Sequence, residues 1–391
     1  MGRPIYLDYN ATTPTDPAVA EELLPYLTLT FGNPSSSHHY GQEARQAVDR
    51  ARARLAALLG CDPEEVIFTS GGTESNNQAL IGTALANREK GDHIITSAVE
   101  HPAVLSPLQW LEQHGFFVTY LPVDDTGLID PHEVRKAVTN KTILISVMHA
   151  NNEVGTIEPL ADIGAIARER GILFHTDAAQ SVGKIPTKVD DLGVDLLTVA
   201  GHKVYAPKGV GALYIRNGVR IDSHLRGAGH EGGRRAGTEN VPYVAALGKA
   251  AEIAAERLGT DGERIRFLRD HFHDRLRDLI DGVDLNGHPT ERLPNTLNVS
   301  FRGVTGSDLL SATPEIAAST GSACHDGKGE LSGVLRAMGI AAERGFGAVR
   351  FSLGRPTTIE ELGAAAEAVT SRVRDLRANN GRPRCDGAAG T

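Results

Sequence analysis

The chain has 391 residues, including 43 glycines and 3 cysteines, and its 40 basic and 49 acidic side chains leave a formal charge of −9. That length suggests two domains or one large α/β unit with an appendage, and the acidic balance argues against a general nucleic-acid-binding surface. No apolar run reaches the roughly 20 residues that span a bilayer, and three scattered cysteines exclude a disulfide framework or a metal knuckle, as expected in a reducing cytoplasm.

The polar start of the chain, Met1 to Asp8, shows no signal-peptide pattern. The first periodic segment is helical: Ala44, Ala47, Val48, Ala51, Leu55 and Leu58 recur at helix spacing, and Gly60 supplies a stop signal. Short β-branched runs bordered by turn residues follow at 66–69, 93–96, 117–121, 142–147, 172–175, 195–199 and 211–215, and predict buried strands. Helical patterns at 75–87, 102–114 and 160–170 lie among them. This alternation predicts a mostly parallel sheet covered by helices.

After about residue 240 the texture changes. Two helical patterns, 244–258 and 264–280, lead to a strand at 296–301 and a Gly/Ser/Thr-rich stretch at 319–329. A strand at 349–353 and a helix from 358 to about 376 follow, which together read as a smaller α+β domain. Residues 378–391, rich in Gly, Pro, Asn and charge, read as a disordered tail.

Three turns that follow strands are candidates for chemistry. The run from Thr69 through Gly71, Gly72 and Thr73 to Ser75 opens a helix, where free N–H groups and backbone freedom suit a phosphate or simply a turn. It is neither a Walker A loop nor a dinucleotide fingerprint. Asp177 sits just past a strand, at the carboxyl edge where α/β proteins bind ligands. A carboxylate there needs a cation or good hydrogen bonds, and a helix cap or a lysine ion pair would also serve. Lys203, preceded by His202, again follows a strand. It reads as a nucleophilic or Schiff-base lysine or as a surface charge.

A set of ordered segments carries a resemblance. They are Tyr6 to Pro14, Gly32 to Ser36, Thr69 to Asn77, Glu100 to Pro102, Asn151 to Gly155, Asp177 to Gln180, His202-Lys203, Arg235 to Asn240, Ser322 to Cys324 and Arg350 to Arg355. On these segments the chain resembles the group I cysteine desulfurases of the class V aminotransferase superfamily, pyridoxal-phosphate (PLP) enzymes of fold type I. The resemblance implies an α/β fold, with a large domain around a mostly parallel seven-stranded sheet plus a smaller α+β domain. The large PLP-binding domain would take residues 15–255. Residues 1–14 with 256–377 would form the small domain that carries the catalytic cysteine.

The resemblance also implies residue roles. Lys203 would carry PLP and move the substrate Cα proton, and Asp177 would pair with the pyridinium nitrogen. His101 would stack on the ring and handle the substrate thiol proton. Asn152 and Gln180 would bond the ring's phenolic oxygen. Gly72, Thr73 and His202 would hold the phosphate, joined by Thr238 from the second subunit of a homodimer. Arg355 would clamp the substrate carboxylate, with Asn152 also at the substrate. Cys324 would be the nucleophile on a mobile loop, its thiolate favoured by His325 and Lys328. Cys61 would be packing and Cys385 incidental.

The implied reaction takes L-cysteine to L-alanine and leaves a persulfide on Cys324. The sulfur would pass to an acceptor protein, an iron–sulfur scaffold or a tRNA-thiolation protein, in the cytoplasm, with no metal, membrane or direct nucleic-acid partner. Two positions depart from the family pattern. Ala200 stands where Ser often gives a phosphate bond, and Ala206 where Gly is usual, which would strain the turn if Ala206 had positive φ. The segments 323–326 and 199–203 also resemble selenocysteine lyases, so that activity stands as the alternative. A class V aminotransferase or a non-catalytic PLP-fold scaffold is further off.

Overall fold

The computed structural model describes residues 3–320 and 331–380. Twelve strands are present among them: β1 Ile5–Tyr6, β2 Val66–Thr69, β3 His93–Ser97, β4 Phe117–Leu121, β5 Thr142–Ser146, β6 Leu173–Asp177, β7 Leu196–Ala200, β8 Gly211–Ile215, β9 Val283–Asn286, β10 Thr296–Phe301, β11 Ile316–Ala317 and β12 Ala348–Ser352. β2 to β8 form the seven-stranded sheet, in the order β2-β8-β7-β6-β5-β3-β4. All its pairings are parallel except those of β8, which runs antiparallel to β2 and β7. The mostly parallel α/β sheet expected from the alternation is therefore present. β5 to β8 are buried almost throughout because helices cover both faces, which is why they read as apolar runs rather than alternating ones.

This topology positions the site. β8 is sandwiched antiparallel between β2 and β7, so the carboxyl ends of β2, β3, β5, β6 and β7 all point to one edge of the sheet. The residues just past those ends converge there. A second, antiparallel sheet in the order β12-β10-β9 and a short parallel pair, β1 with β11, lie in the later part of the chain and its first residues. Their core includes Leu7, Phe272, Leu297, Val299, Phe351 and Val369, while the core around the large sheet includes Leu55, Phe174, Leu197 and Leu247.

Three sequence expectations are corrected. The two helical patterns after residue 240 are one helix, Val241–Leu279. Gly259 and Gly262 interrupt the pattern at about 1 kcal/mol each. Packing at both ends outweighs them: Val244, Leu247 and Ala251 enter the first core, and Ile265, Leu268, Phe272 and Leu276 the second. The helix expected over 75–87 begins earlier, at Gly72, and runs through a π turn, Gln78–Gly82, to Ala86. The last helix runs Ile359–Asn380, so residues 378–380 are helical rather than tail. The remainder of the predicted tail lies outside the described residues, as do Cys324, His325 and Lys328 with the loop expected around them.

Candidate active site

The converging loops enclose a cavity of about 390 Å³ lined by Gly72, Thr73, Asn76, His101, Asn152, Asp177, Gln180, Ala200, His202, Lys203 and Arg350, with Asn10 closing it. Eight residues expected at the site from sequence, Gly72, Thr73, His101, Asn152, Asp177, Gln180, His202 and Lys203, are thus brought together.

Asp177 is buried at the end of β6 and accepts two hydrogen bonds, from Asn76 Nδ2 at 2.7 Å and from the Ala179 N–H at 2.9 Å. Both donors are neutral. A buried carboxylate held only by neutral donors retains an unmet demand for positive charge on its cavity side. Asn76 Oδ1 is buried without a partner among the described residues, and its Nδ2 donates to Asp177.

Lys203 closes the turn after β7 and donates to the carbonyl oxygens of Asn10 and of Ala11, the latter at 2.8 Å. Desolvation chiefly, then repulsion from Arg350, pushes its amine down to about 8, against the attraction of Asp177 and Asp8. A lysine in that range has a usable fraction of free amine near neutral pH. His202 is pushed down to about 4 by desolvation and by neighbouring lysines, so its ring is neutral at pH 7. Its Nδ1 meets Thr12 Oγ1 at 3.1 Å.

His101 caps the helix Pro102–Gln113, its Nδ1 accepting from the Ala103 N–H at 3.1 Å. That leaves the ring proton on Nε2. Desolvation holds this imidazole below its ordinary range, although the ring is exposed at the cavity mouth. Behind it Glu100 is buried and pushed up to about 8 by desolvation, and its Oε1 accepts from Ser97 Oγ at 2.7 Å and Met148 N at 2.8 Å. These bonds fix the His101 turn to the ends of β3 and β5.

At the opposite corner Gly72 opens its helix beside Ala200. A Cβ on Gly72 would sit 3.3 Å from the Ala200 side chain, so this turn requires a small residue on each side. Gly71, with φ 150°, completes the turn. The positive-φ residue after Lys203 is Tyr205, at 66°, and not Ala206. Such a backbone costs about 1–3 kcal/mol in a non-glycine residue. Tyr205 is held by the Thr13 hydroxyl on its N–H at 3.0 Å and by the Arg355 N–H on its own hydroxyl at 2.7 Å.

Arg355 does not line the cavity. Its guanidinium pairs with Asp16 at 3.5 Å and Asp261 at 3.1 Å and stacks over the Tyr205 ring at 4.2 Å. Both of its forks are taken by carboxylates of the chain itself. The arginine in the cavity is Arg350, in the middle of β12. It is buried, pairs with Asp8 at 2.7 Å, donates to the Asn152 carbonyl at 3.0 Å and keeps Nε without a partner among the described residues. Thr238 lies on an exposed loop before the helix Val241–Leu279, outside this cavity.

Sequence reasoning missed Asn10, Asn76 and Arg350 as site residues. Asn10 is a hub: its carbonyl accepts from Lys203 and Gln180, its Nδ2 donates to Thr296 and Asn152, and its Oδ1 accepts from Asn295. For Arg350 a signal existed, a charge inside the otherwise apolar run of β12.

The class-V aminotransferase family profile matches residues 5–364. A cysteine desulfurase IscS of Dictyoglomus turgidum is 49% identical over 379 residues, 96% of this chain and 96% of that protein. The chain belongs to the cysteine desulfurases of the class-V aminotransferase family. These are PLP-dependent enzymes. A solved NifS-like protein superposes with a TM-score of 0.90 at 38% identity, covering 95% of this chain and 100% of that one. The structure of SspA in complex with cysteine superposes with a TM-score of 0.80 at 37% identity, over 89% of this chain and 98% of that one.

The residues of this desulfurase's cavity fit PLP. Among the described residues Asp177 forms no ion pair, Lys203 offers an amine, and the Gly72 turn presents N–H groups to an anion. Among the described residues no group of His, Cys, Asp and Glu could hold a metal, and no helix is long and apolar enough to cross a membrane.

Proposed function

We propose that this cysteine desulfurase converts L-cysteine to L-alanine and receives the sulfur on Cys324 as a persulfide. The observation that carries the reading is the presence, in one cavity, of Lys203 and a buried Asp177 whose hydrogen-bond donors among the described residues are both neutral. Held there by these residues, PLP would supply an electron-accepting ring able to delocalise negative charge from a bonded carbon.

The chain's residues do the rest. Asp177 keeps the ring nitrogen protonated. The Gly72 and Thr73 N–H groups, Thr73 Oγ1 and neutral His202 hold the phosphate, and Asn152 and Gln180 meet the ring oxygen. Lys203, once free, moves the proton at Cα. His101 Nε2, at the open side, exchanges a proton with the substrate sulfur. Arg350, rather than Arg355, holds the substrate carboxylate, because it lines the cavity with a spare Nε while Arg355 is already doubly paired.

The balance closes without an outside oxidant. The Cβ–S bond breaks, Cβ gains a hydrogen, and the Cys324 thiolate forms an S–S bond with the departing sulfur. Cysteine carbon is reduced and sulfur is oxidised by the same electron pair. Anchors on either side of the Cys324 segment flank the cavity: Ser319 pairs with the Arg350 backbone, and Ser332 Oγ donates to Glu153 at 2.5 Å. The persulfide then passes to a thiol of an acceptor protein, an iron–sulfur scaffold or a thiolation protein. The working form is a homodimer in which the partner subunit's Thr238 completes the phosphate site. Residues 15–255 act as the cofactor-binding part, and 1–14 with 256–377 as the smaller part carrying Cys324.

The test is to mix holoenzyme with one equivalent of L-cysteine, alkylate, and digest. One added sulfur on the Cys324 peptide, with one alanine released, is the expected result. In Cys324→Ser the visible band should remain while sulfide release from L-cysteine stops. Full activity of that variant on L-cysteine would overturn the persulfide route, and activity retained on L-selenocysteine alone would favour the lyase.

A further inference from the structure

Lys184 is a half-buried lysine that the reaction above leaves unused. It follows Gln180 by one helical turn's worth of residues, and its Nζ donates to Gln180 Oε1 at 2.9 Å. Among the described residues its hydrogen-bond acceptor is therefore an amide and not a carboxylate. The charged groups that act on it are Lys203 and Arg350, both of its own sign. Desolvation with that repulsion pushes the amine down to about 7. Placing a lysine here is costly.

The geometry gives this cost a use. An amide side chain can present either its oxygen or its NH₂ to a ligand, and its neighbours decide which. As an ammonium Lys184 is a donor only, so in that form the atom it meets must be the amide oxygen. The NH₂ end of Gln180 then turns to the cavity, where Nε2 donates to the Asn10 carbonyl at 3.0 Å, the same carbonyl that accepts from Lys203. A chain of hydrogen bonds runs from Lys184 through Gln180 and Asn10 to Lys203.

We propose that Lys184 is a positioning residue that fixes the Gln180 amide donor-first, so that this site accepts the cofactor ring only with an acceptor, anionic oxygen at that point. The inference rests on the reading that Gln180 meets the ring oxygen. A cation on the far side of the amide also polarises it and strengthens the N–H that faces the cavity. Without Lys184 only the Asn10 carbonyl holds the amide in this orientation, and the oxygen end loses its donor.

Two readouts other than turnover test this: the affinity of apoprotein for PLP, and the pH midpoint of the holoenzyme's visible band. A donor held against an anionic ring oxygen stabilises the anion, so its loss moves that midpoint up. Lys184→Met is expected to weaken PLP binding by about three- to tenfold, one hydrogen bond's worth, and to raise the midpoint by about 0.5–1 pH unit. Lys184→Arg should restore most of both. In a Gln180→Ala background Lys184→Met should add nothing, because it acts through that amide. A Lys184→Met protein that melts earlier but keeps the wild-type affinity and midpoint would reduce Lys184 to packing. Full additivity with Gln180→Ala would also overturn the proposal. If Gln180→Ala alone changes neither readout, the ring-oxygen role of Gln180 fails and this inference fails with it.

Discussion

On one side of the cavity Gly72, Thr73, His101, Asp177 and Lys203 each stand within a few residues of the carboxyl end of a strand in the large sheet, whereas on the other side Asn10 and Arg350 come from opposite ends of the chain and meet through the smaller sheet. The first side is held by the large sheet, in which every strand but β8 ends at one edge. The second is held by side-chain bonds across long sequence separations: Asn10 to Thr296 and Asn295, Arg350 to Asp8. The sheet side carries the groups that grip and tune the cofactor. The assembled side carries the cation that would recognise substrate, and its backbone also anchors Ser319, near the start of the Cys324 segment.

If that division holds, damage to the two sides should have different signatures. The largest effect is expected on the sheet side. Lys203→Ala should abolish the visible band of the purified protein and lower turnover by about 10³-fold or more. A variant that keeps the band at full intensity would show that another amine carries the cofactor.

The next effect separates the two arginines. Arg350→Gln should raise KM for L-cysteine by about 10²-fold, the loss of a charge-assisted contact through the spare Nε, while the visible band persists. Arg355→Gln should leave KM within about threefold. It should instead cost about 1–3 kcal/mol of stability, seen as a lower melting temperature, because it frees Asp16, Asp261 and the left-handed Tyr205 turn. Exchanged results would move the substrate contact back to Arg355.

A smaller effect comes from pH. Lys203 reacts with the cofactor aldehyde as the free amine, and its folded value is depressed to about 8. The rate at which apoprotein captures PLP should therefore rise about tenfold per pH unit below 8 and level off above it. A rate still climbing through pH 10 would mean the amine is not desolvated. The smallest effect is expected of Asn76→Ala. It removes one of two donors to Asp177 and should weaken PLP affinity by only about three- to tenfold.

The same division explains which parts were legible. Strand and helix periodicity is local, so the seven strands of the large sheet and the residues just past their ends, Asp177 and Lys203 among them, could be read in order along the chain. Helix Val241–Leu279 could not be read as one piece, since Gly259 and Gly262 lower local propensity and only two separate cores restore the balance. The choice between Arg350 and Arg355 was equally hidden. Both belong to one motif, and only the pairing of β12 with β10 and the contact with Asp8 turn the first into the cavity, while Asp16 and Asp261 draw the second away.

The sequence by itself therefore determined the class of fold and the residues near strand ends, because both depend on neighbours in the chain, and the cofactor chemistry through the ordered motifs it shares with the cysteine desulfurases. Tertiary structure alone decided that Asn10 ties the two sides together, that Asn76 and Lys184 orient groups that face the cavity, and that Arg350 and not Arg355 lines it. Those choices depend on register and packing between segments far apart in sequence, where hydrogen-bond geometry and burial set the partner and residue type does not.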